Sequence, residues 1–577
     1  MTALQKRWAI LPPAPAEHLT GFPDLSPLLV QLLYNRQVRT REEIAAFLSK
    51  SLTLDNPFLL KGMSEAVTRL RRAIRAGESI AVYGDYDVDG VSATALLVPT
   101  LRALGAKAMP YIPKRAEEGY GLNKPALEEL ARQGFKLVVT VDCGVRSVEE
   151  AAYARQLGLD MIITDHHTVF GPLPPAVAVI DPKREDDSYP FKQLAGVGLA
   201  FKLAQALLRV ERQVPISKTR ELPQEEDLLD LVALGTVADL APLTGENRAL
   251  VSRGLEKLNA TKRPGIAAML KEAGLAGTRV DTTKIGFVLG PRLNAAGRLD
   301  DAIASYNLLT TPSEDEAAAL AQQLGAQNQE RQRRMKEMIE WARSEVQALG
   351  DDLIYVLASP EYVSADYMVG IAGLVAGRIM EEFYRPTIVI AKAEEESRGS
   401  ARSIEGLHIT KALDECRELL VRHGGHAAAA GFSIKNDNID ELRSRLREIA
   451  ARQLTPDKLV PVLEVDMELP LNHATLESVR MIEELQPFGV DNTRPTFVTF
   501  DVQVRDCRLV GAEQNSVKFC LSDGTAFWDA IAFRQTIETE RAPRRIDVVY
   551  TLQSRVWNGE ERVELVVKDW RPAAGQA

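Results

Sequence analysis

Three carboxylates stand at alternate positions in Gly84-Asp85-Tyr86-Asp87-Val88-Asp89-Gly90, directly after the apolar run Ser79–Tyr83. Like charges so closely spaced repel one another unless a cation sits among them. Asp85 through Gly90 fit the opening of a calcium-binding EF-hand loop, D-x-D-x-D-G. The twelfth position, however, is Leu96 rather than glutamate, and the preceding segment reads as a strand where an EF-hand needs a helix. A purely structural turn is the other plain reading. Two further carboxylates follow β-rich runs: Asp142 after Leu137–Val141, and Asp165 after Met161–Thr164, where it opens Asp165-His166-His167. A lone histidine is usually structural, but two adjacent ones behind an aspartate, in a chain with only 7 histidines, read as ligands. Carboxylates with one or two imidazoles and no thiolate suit a hard divalent cation such as Mn²⁺ or Mg²⁺. Two such cations sharing a bridging carboxylate are what phosphoryl hydrolysis uses.

These side chains need a frame that brings them together. From Ser79 to Ile180, the β-rich runs Ser79–Tyr83, Leu137–Val141, Met161–Thr164 and Ala176–Ile180 alternate with helical segments such as Val91–Leu104 and Val148–Leu157. That alternation predicts an α/β domain with a parallel, doubly wound sheet, whose strand C-termini meet at one crevice. A helical tract over Glu226–Asp239 follows. Ser313–Leu349 is polar, with apolar residues recurring at three and four, and as one helix it would extend ~55 Å and bridge two lobes. Leu353–Ala358 and Thr387–Ala391 then bracket the helical Val369–Glu382, predicting a second, smaller α/β unit to about residue 455. After Pro461 short alternating runs predict a small antiparallel β-barrel. Residues 1–50, with a helical stretch over Pro27–Leu48, read as a packing appendage.

Composition bounds the function. At 577 residues the chain exceeds what one core supports, so two to four domains are expected. With 45% hydrophobic and 26% charged residues it is an ordinary globular sequence, and its net charge of -10 provides no global field for a polyanion, so any nucleic-acid site must be a local patch. Cys143, Cys416, Cys507 and Cys520 form no C-x-x-C pair, which excludes a thiolate zinc site and a redox motif of that kind. Prolines at 12, 13 and 15 interrupt the apolar run behind Lys6-Arg7, and no later stretch reaches membrane-span length, so no membrane association and a cytoplasmic location are expected.

The successive segments Asp85-x-Asp87-x-Asp89, Val141-Asp142-Cys143-Gly144, Asp165-His166-His167 and Leu234-Gly235-Thr236-Val237-Ala238-Asp239 resemble the ordered motifs of the DHH phosphoesterase superfamily. With Gly290-Pro291-Arg292-Leu293-Asn294-Ala295-Ala296-Gly297-Arg298, Gly399-Ser400-Ala401-Arg402-Ser403 and Gly424-Gly425-His426-Ala427-Ala428-Ala429-Ala430-Gly431, residues 55–570 are similar to its RecJ branch of bacterial single-strand-specific 5′→3′ exonucleases. The resemblance implies two divalent cations, Mn²⁺ preferred or Mg²⁺. Asp85, Asp87 and Asp142 would hold one, and Asp89, Asp142, His166 and Asp239 the other, with Asp142 as the bridge. Asp165 would lie behind the ligands and orient an imidazole, and His167 would contact the scissile phosphate. Many relatives carry Asn where this chain has Cys143, which is therefore not read as a nucleophile or ligand.

The same resemblance implies a clamp on a 5′-terminal phosphate from Asn294, Arg298, Ser400 and Arg402, with Gly424, Gly425 and His426 offering a glycine-rich approach. In the loop Pro113–Gly121, Arg115 would grip a backbone phosphate and Tyr120 would stack on or exclude a base, against the plainer reading of a solvated loop. Gln486-Pro487-Phe488-Gly489 and Asn492-x-Arg494-Pro495 mark entry to an OB fold, where Arg541, Arg544, Arg545 and Arg555 near Trp557 would serve single-stranded DNA. The expected organisation is an appendage (1–50), a DHH catalytic domain (51–258), a helical connector (259–350), a DHHA1-type substrate-binding domain (351–456) and an OB-fold domain (457–577). No Gly-Lys-Ser/Thr is present for a P-loop motor. Strand separation would therefore fall to a partner helicase, and the resemblance implies work in DNA repair and recombination with a helicase and a single-strand-binding protein as functional partners; a monomer is expected. Two rivals are a DHH phosphatase acting on short phosphorylated nucleotides, which would need no barrel, and a silent nucleic-acid-binding scaffold, which would lack ligands.

Overall fold

The computed structural model describes residues 5–49, 54–114, 118, 121–217, 221–299, 301–360, 363, 365–511, 514–535, 537 and 542–573. Strand β1 (Arg7–Ile10) is followed by two helices, Pro27–Asn35 and Arg41–Leu48, in place of the single helical stretch expected there. The break has a local cause. Gln37 adopts a left-handed φ of 61°, and Thr40 opens the second helix with a capping box: its Oγ1 accepts from Glu43 N at 3.1 Å while Glu43 Oε2 accepts from Thr40 N at 3.0 Å. Leu29, Val30, Leu32, Leu33 and Ile44 bury their side chains with Phe497, Phe519 and Ile546 of the C-terminal barrel.

The first lobe is a five-stranded parallel sheet of β2 (Ser79–Gly84), β3 (Lys107–Tyr111), β4 (Leu137–Val141), β5 (Asp160–Thr164) and β6 (Ala178–Ile180), in the order β3-β2-β4-β5-β6. Helices cover both faces, which is why β4 is apolar but for Thr140 and has every residue buried. β3 was not foreseen because Lys107 and Met109 are exposed and Pro110 interrupts the pattern, a composition tolerated only on a sheet edge. The helix Glu314–Leu349, 36 residues long, starts at an N-cap where Ser313 Oγ accepts from Glu316 N at 3.2 Å. Its Ala317, Ala321 and Leu324 are buried in the first lobe's core and its Met338, Ile339, Ala342 and Val346 in the second's, so one rigid rod spaces the two.

The second lobe is a mixed sheet of β7 (Tyr355–Ala358), β8 (Thr387–Ala391), β9 (Glu396–Arg402), β10 (Leu420–Gly425) and β11 (Ala429–Lys435), in the order β10-β11-β9-β8-β7 with only β7 and β8 parallel. Sequence reading found β7 and β8 but not the other three, whose Gly, Ser and Ala carry little strand propensity. After β12 (Val462–Val465), which pairs in parallel with β1, come β13 (Met467–Glu468), β14 (Phe497–Val510), β15 (Ser516–Ser522), β16 (Phe527–Ala532), β17 (Arg545–Trp557) and β18 (Glu560–Pro572). The pairing β14-β15-β16-β18-β17 closes back onto β14 as a five-stranded barrel. It is not wholly antiparallel: β18 returns from its hairpin with β17 and so runs parallel to β16.

Candidate metal centre and nucleic-acid cleft

Asp85 follows β2, Asp142 follows β4 and Asp165 follows β5, so the parallel sheet delivers all three to one edge. Asp87 caps the helix Val88–Ala103, its Oδ1 accepting from Asp89 N at 2.9 Å and Gly90 N at 3.1 Å. Asp89, on that helix, accepts from two backbone amides that open the helix Gly196–Gln213: Gly196 N at 2.7 Å and Val197 N at 2.8 Å. Asp142 sits at φ 64°, a left-handed backbone that costs energy for a side-chain-bearing residue and recurs at functional sites. Asp239 ends the helix Leu229–Ala238. Ligand atoms of Asp85, Asp87 and Asp142 lie within 4.8 Å of one another, as do those of Asp89, His166 and Asp239 and those of Asp142, His166 and His167. His166 Nε2 is 3.0 Å from Asp142 Oδ1 and 3.9 Å from carboxylate oxygens of Asp89 and Asp239. Both His166 Nε2 and Asp142 Oδ1 are nonetheless buried without a hydrogen bond. Buried polar atoms left in that state are costly unless a cation shares them, so the donor set fits a hard divalent metal.

The electrostatics agree with that fit. Burial, then the charges of Asp239 and Asp87, drives the Asp89 carboxyl well above the usual carboxylate range, and burial with Asp89, Asp87 and Asp85 does the same to Asp142. Asp239 is pushed up to about 7 by burial and Asp87. His166 is held down to about 3 by burial and by the neighbouring His167, and so presents a neutral imidazole. Asp165 behaves oppositely. Burial opposes its charge, but the hydrogen bond from His167, the charges of both imidazoles and Val145 N at 2.9 Å outweigh it and hold the carboxyl at about 2. Its Oδ1 lies 2.7 Å from His167 Nδ1, and although burial disfavours the imidazolium, this bond raises His167 above the ordinary histidine range. Cys143 is buried and its thiol is pushed well up by burial and Asp165, so it stays protonated.

Asn294, on the helix Gly290–Leu299, reaches the same loop, its Oδ1 accepting from Val88 N at 3.1 Å. Gly297 lets that helix close on the loop, since a Cβ there would lie 2.8 Å from Tyr86 O. Arg298 is the next residue of the helix; its side chain lies outside the described residues, as do Arg115 and Tyr120. In the second lobe, Ser400 and Arg402 share one face of β9 and converge on the first turn of the helix Ala372–Phe383. A Cβ on Gly373 would lie 3.1 Å from Arg402 Nη2 and 3.7 Å from Ser400 Oγ. Gly424 and Gly425 end β10, and His426 N donates to Ala429 O at 2.8 Å. The His426 imidazole is lowered by burial and then by the charges of Arg146, His167 and Lys183 of the first lobe.

On the barrel, two of the four arginines have carboxylate partners. Arg545 is committed to Asp501, with Nη2 to Oδ2 at 2.7 Å, and Arg555 pairs with Glu564 at 2.9 Å. Arg541 and the Trp557 side chain lie outside the described residues. Among the described residues, the exposed phenylalanine rings on this domain are Phe500, Phe527 (67%) and Phe533 (55%).

Residues 79–236 match the DHH family, N-terminal domain; residues 354–452 match the DHHA1 domain and residues 465–569 the RecJ OB domain. The single-stranded-DNA-specific exonuclease RecJ of Bacillus subtilis (strain 168) is 39% identical over 576 residues, covering 99% of this chain and 71% of that protein. The chain belongs to the RecJ family. The RecJ of Dickeya dadantii (strain 3937) is 37% identical over 96% of this chain and 97% of its own length. The crystal structure of RecJ in complex with Mn²⁺ from Thermus thermophilus superposes with a TM-score of 0.84 at 30% identity, covering 99% of this chain and 80% of that one.

Within the RecJ fold, the residues that sequence reading missed are backbone donors and isolated cations. The amides of Gly196 and Val197 orient Asp89 without any side-chain signature, although paired small residues opening an apolar helix in Leu194-Ala195-Gly196-Val197-Gly198 were a usable signal. Arg146 and Lys183 lie in separate loops with nothing in the local sequence to mark them.

Proposed function

We propose that the chain is a divalent-metal-dependent exonuclease that degrades single-stranded DNA from its 5′ end and releases nucleoside 5′-monophosphates, in DNA repair and recombination. The observation that carries this is the set of ligand groups that meet at Asp142, with His426 of the second lobe near enough for the charges of Arg146, His167 and Lys183 to act on its imidazole.

In this reading Asp85, Asp87 and Asp142 hold one cation and Asp89, Asp142, His166 and Asp239 the other, with Mn²⁺ preferred over Mg²⁺. When bound, the metals supply an activated water and neutralise charge developing on the scissile phosphate. The amides of Gly196 and Val197 fix Asp89 in the orientation a ligand needs. Asp165 keeps its charge and so favours the imidazolium form of His167, which would donate to a phosphate oxygen through Nε2 because Nδ1 is committed to Asp165. Arg402, Ser400 and Arg298 seat the 5′-terminal phosphate, while Asn294 tethers the clamp's helix to the metal loop. A seat for the terminal phosphate would register the next phosphodiester at the metals, so that one nucleotide would leave at a time.

The same proposal takes the domain limits as 51–258, 259–350, 351–456 and 457–577, a monomer located in the cytoplasm, and a helicase and a single-strand-binding protein as partners. Arg115 and Tyr120 belong to the strand's path. The test is Mn²⁺-dependent digestion of one long single strand labelled at either end, with the matching duplex as control. Early release of the 5′ label as mononucleotide is expected. Release of the 3′ label first, or attack confined to dinucleotides, contradicts it.

A further inference from the structure

The register of the second lobe's sheet sets out a small lattice of side chains. Arg402 lies opposite Ala429, Ser400 opposite Gly431 and Arg398 opposite Ser433; β10 extends the last two rows with Gly424 opposite Gly431 and Arg422 opposite Ser433. Alternate strand residues face the same way, so Arg398, Ser400, Arg402 and Arg422 share one face. The other face is core, formed by Ala401, Ala430, Phe432 and Ile434. The middle row is floored by glycine, and a Cβ at Gly424 would meet nothing within 4 Å. The result is an open cavity of about 330 Å³ lined by Val369, Ala372, Arg398, Ser400, Arg422 and Ser433, continuous with Ser400 of the phosphate clamp.

Among the described residues its two guanidinium groups touch no carboxylate, although Glu396 lies two residues before Arg398 on the same face of the strand. Arg422 Nε donates to Ser433 Oγ at 3.2 Å, which holds that guanidinium against the sheet. Among the described residues no carboxylate pairs with Arg398 or Arg422, whereas Arg385, Arg443, Arg445, Arg447 and Arg452 of the same lobe each have one. Two guanidinium forks over a polar floor suit phosphate oxygens, which they can bind bidentately. The floor offers no ring for a base to stack on, since Phe432 is turned into the core. Val369 and Ala372 add the N-terminal end of the helix Ala372–Phe383, whose dipole also favours an anion.

We infer that this face is a subsite for the β- and γ-phosphates of a 5′-polyphosphorylated single strand, set directly beyond the seat of the 5′-terminal phosphate. Arg398 stands two residues from Ser400, ~6.6 Å along the strand and within the span of two P–O–P linkages. The inference rests on the proposed clamp at Ser400 and Arg402. Hydrolysis then forms a bond from the water oxygen to the phosphorus of the second nucleotide and breaks the bond from that phosphorus to the 3′ oxygen of the first. One water proton goes to the 3′ oxygen and the other to solvent. The first nucleotide departs as a nucleoside 5′-triphosphate, and the shortened strand carries a 5′-monophosphate.

The test compares full-length chain and variants, with Mn²⁺ in excess, on one single-stranded DNA bearing a 5′-triphosphate, a 5′-monophosphate or a 5′-hydroxyl, reading release of the first nucleotide. The wild type should release a nucleoside triphosphate from the first substrate. Arg398→Ala with Arg422→Ala should slow that substrate about tenfold, as loss of a charge-assisted hydrogen bond does, and leave the monophosphate substrate within about twofold. A 5′-triphosphate strand that resists the wild type, or a double variant that slows both substrates equally, overturns the subsite. Equal use of monophosphate and hydroxyl ends by both wild type and Arg402→Ala would instead bring down the clamp itself, and the subsite with it.

Discussion

Gly196 leaves the space that Asp142 fills: a Cβ on Gly196 would lie 2.5 Å from Asp142 Cβ and 2.6 Å from its Oδ1. The same residue donates its amide to Asp89 at 2.7 Å, so one position of the helix Gly196–Gln213 governs two carboxylates at once. Gly196→Ala should cost about 1–3 kcal/mol of stability by overpacking. It should cost about a hundredfold in turnover by displacing the ligands on the scale of an ångström. Thermal unfolding with and without Mn²⁺, together with kcat on a single-stranded substrate, checks this; near-normal turnover in the variant would refute it.

Metal binding should be tied to pH through the buried carboxylates. Asp239 is pushed up to about 7, with Asp89 and Asp142 raised as well, so the metal-free fold gains stability from these protons at low pH and loses it as pH rises through about 7. Mn²⁺ replaces those protons. Its stabilising effect should therefore grow between about pH 6 and 8, by about 1.4 kcal/mol per pH unit for each proton displaced. Melting in Mn²⁺ against EDTA across this range measures the difference, and a difference independent of pH would contradict the linkage.

Asp165→Asn should act through His167. Without the carboxylate the imidazole loses the partner that raises it, and its cationic form becomes scarcer as pH rises. The ratio of variant to wild-type activity should fall steadily from about pH 6 to pH 8, while Mn²⁺ affinity changes little. A ratio that does not change with pH would remove Asp165 from this role.

Arg402→Ala should raise KM for 5′-phosphorylated single strands by about tenfold to a hundredfold, the value of hydrogen bonds to a charged group. Strands with a 5′-hydroxyl should be much less affected. Equal losses on both would take Arg402 out of the clamp.

The helix Glu314–Leu349 sets the distance from metals to clamp, because it is buried in both lobes. Four residues inserted after the exposed Arg333 would push the second lobe ~6 Å away and rotate it ~40°. Metal binding should survive and processing of phosphorylated ends should not; retention of both would show that the lobes need no fixed spacing.

What could be read from the sequence follows from where each signal resides. Asp85, Asp87, Asp89, Asp142, Asp165 and His166 were legible because charged residues closing apolar strands have few structural uses. The parallel sheet was legible for the same reason, through β2, β4 and β5. Gly196 and Val197 were not, since backbone amides leave no mark on residue type. β9 to β11 escaped because strands rich in Gly, Ser and Ala carry little of the alternating apolar pattern that marks a packed sheet. On the barrel, Arg545 and Arg555 looked available because their partners lie on other strands: the closing pairing of β14 with β17 brings Asp501 to Arg545, and the β17–β18 hairpin brings Glu564 to Arg555.

In the proposed arrangement Asp142 is the residue on which the two cation sites meet, and that bridging role can be tested directly. Crystals of the full chain equilibrated with Mn²⁺ and measured at the manganese absorption edge provide the test. Two anomalous peaks are predicted, one among Asp85, Asp87 and Asp142 and one among Asp89, Asp142, His166 and Asp239, with the Asp142 carboxylate between them. A single peak, or two peaks of which only one touches Asp142, would contradict it.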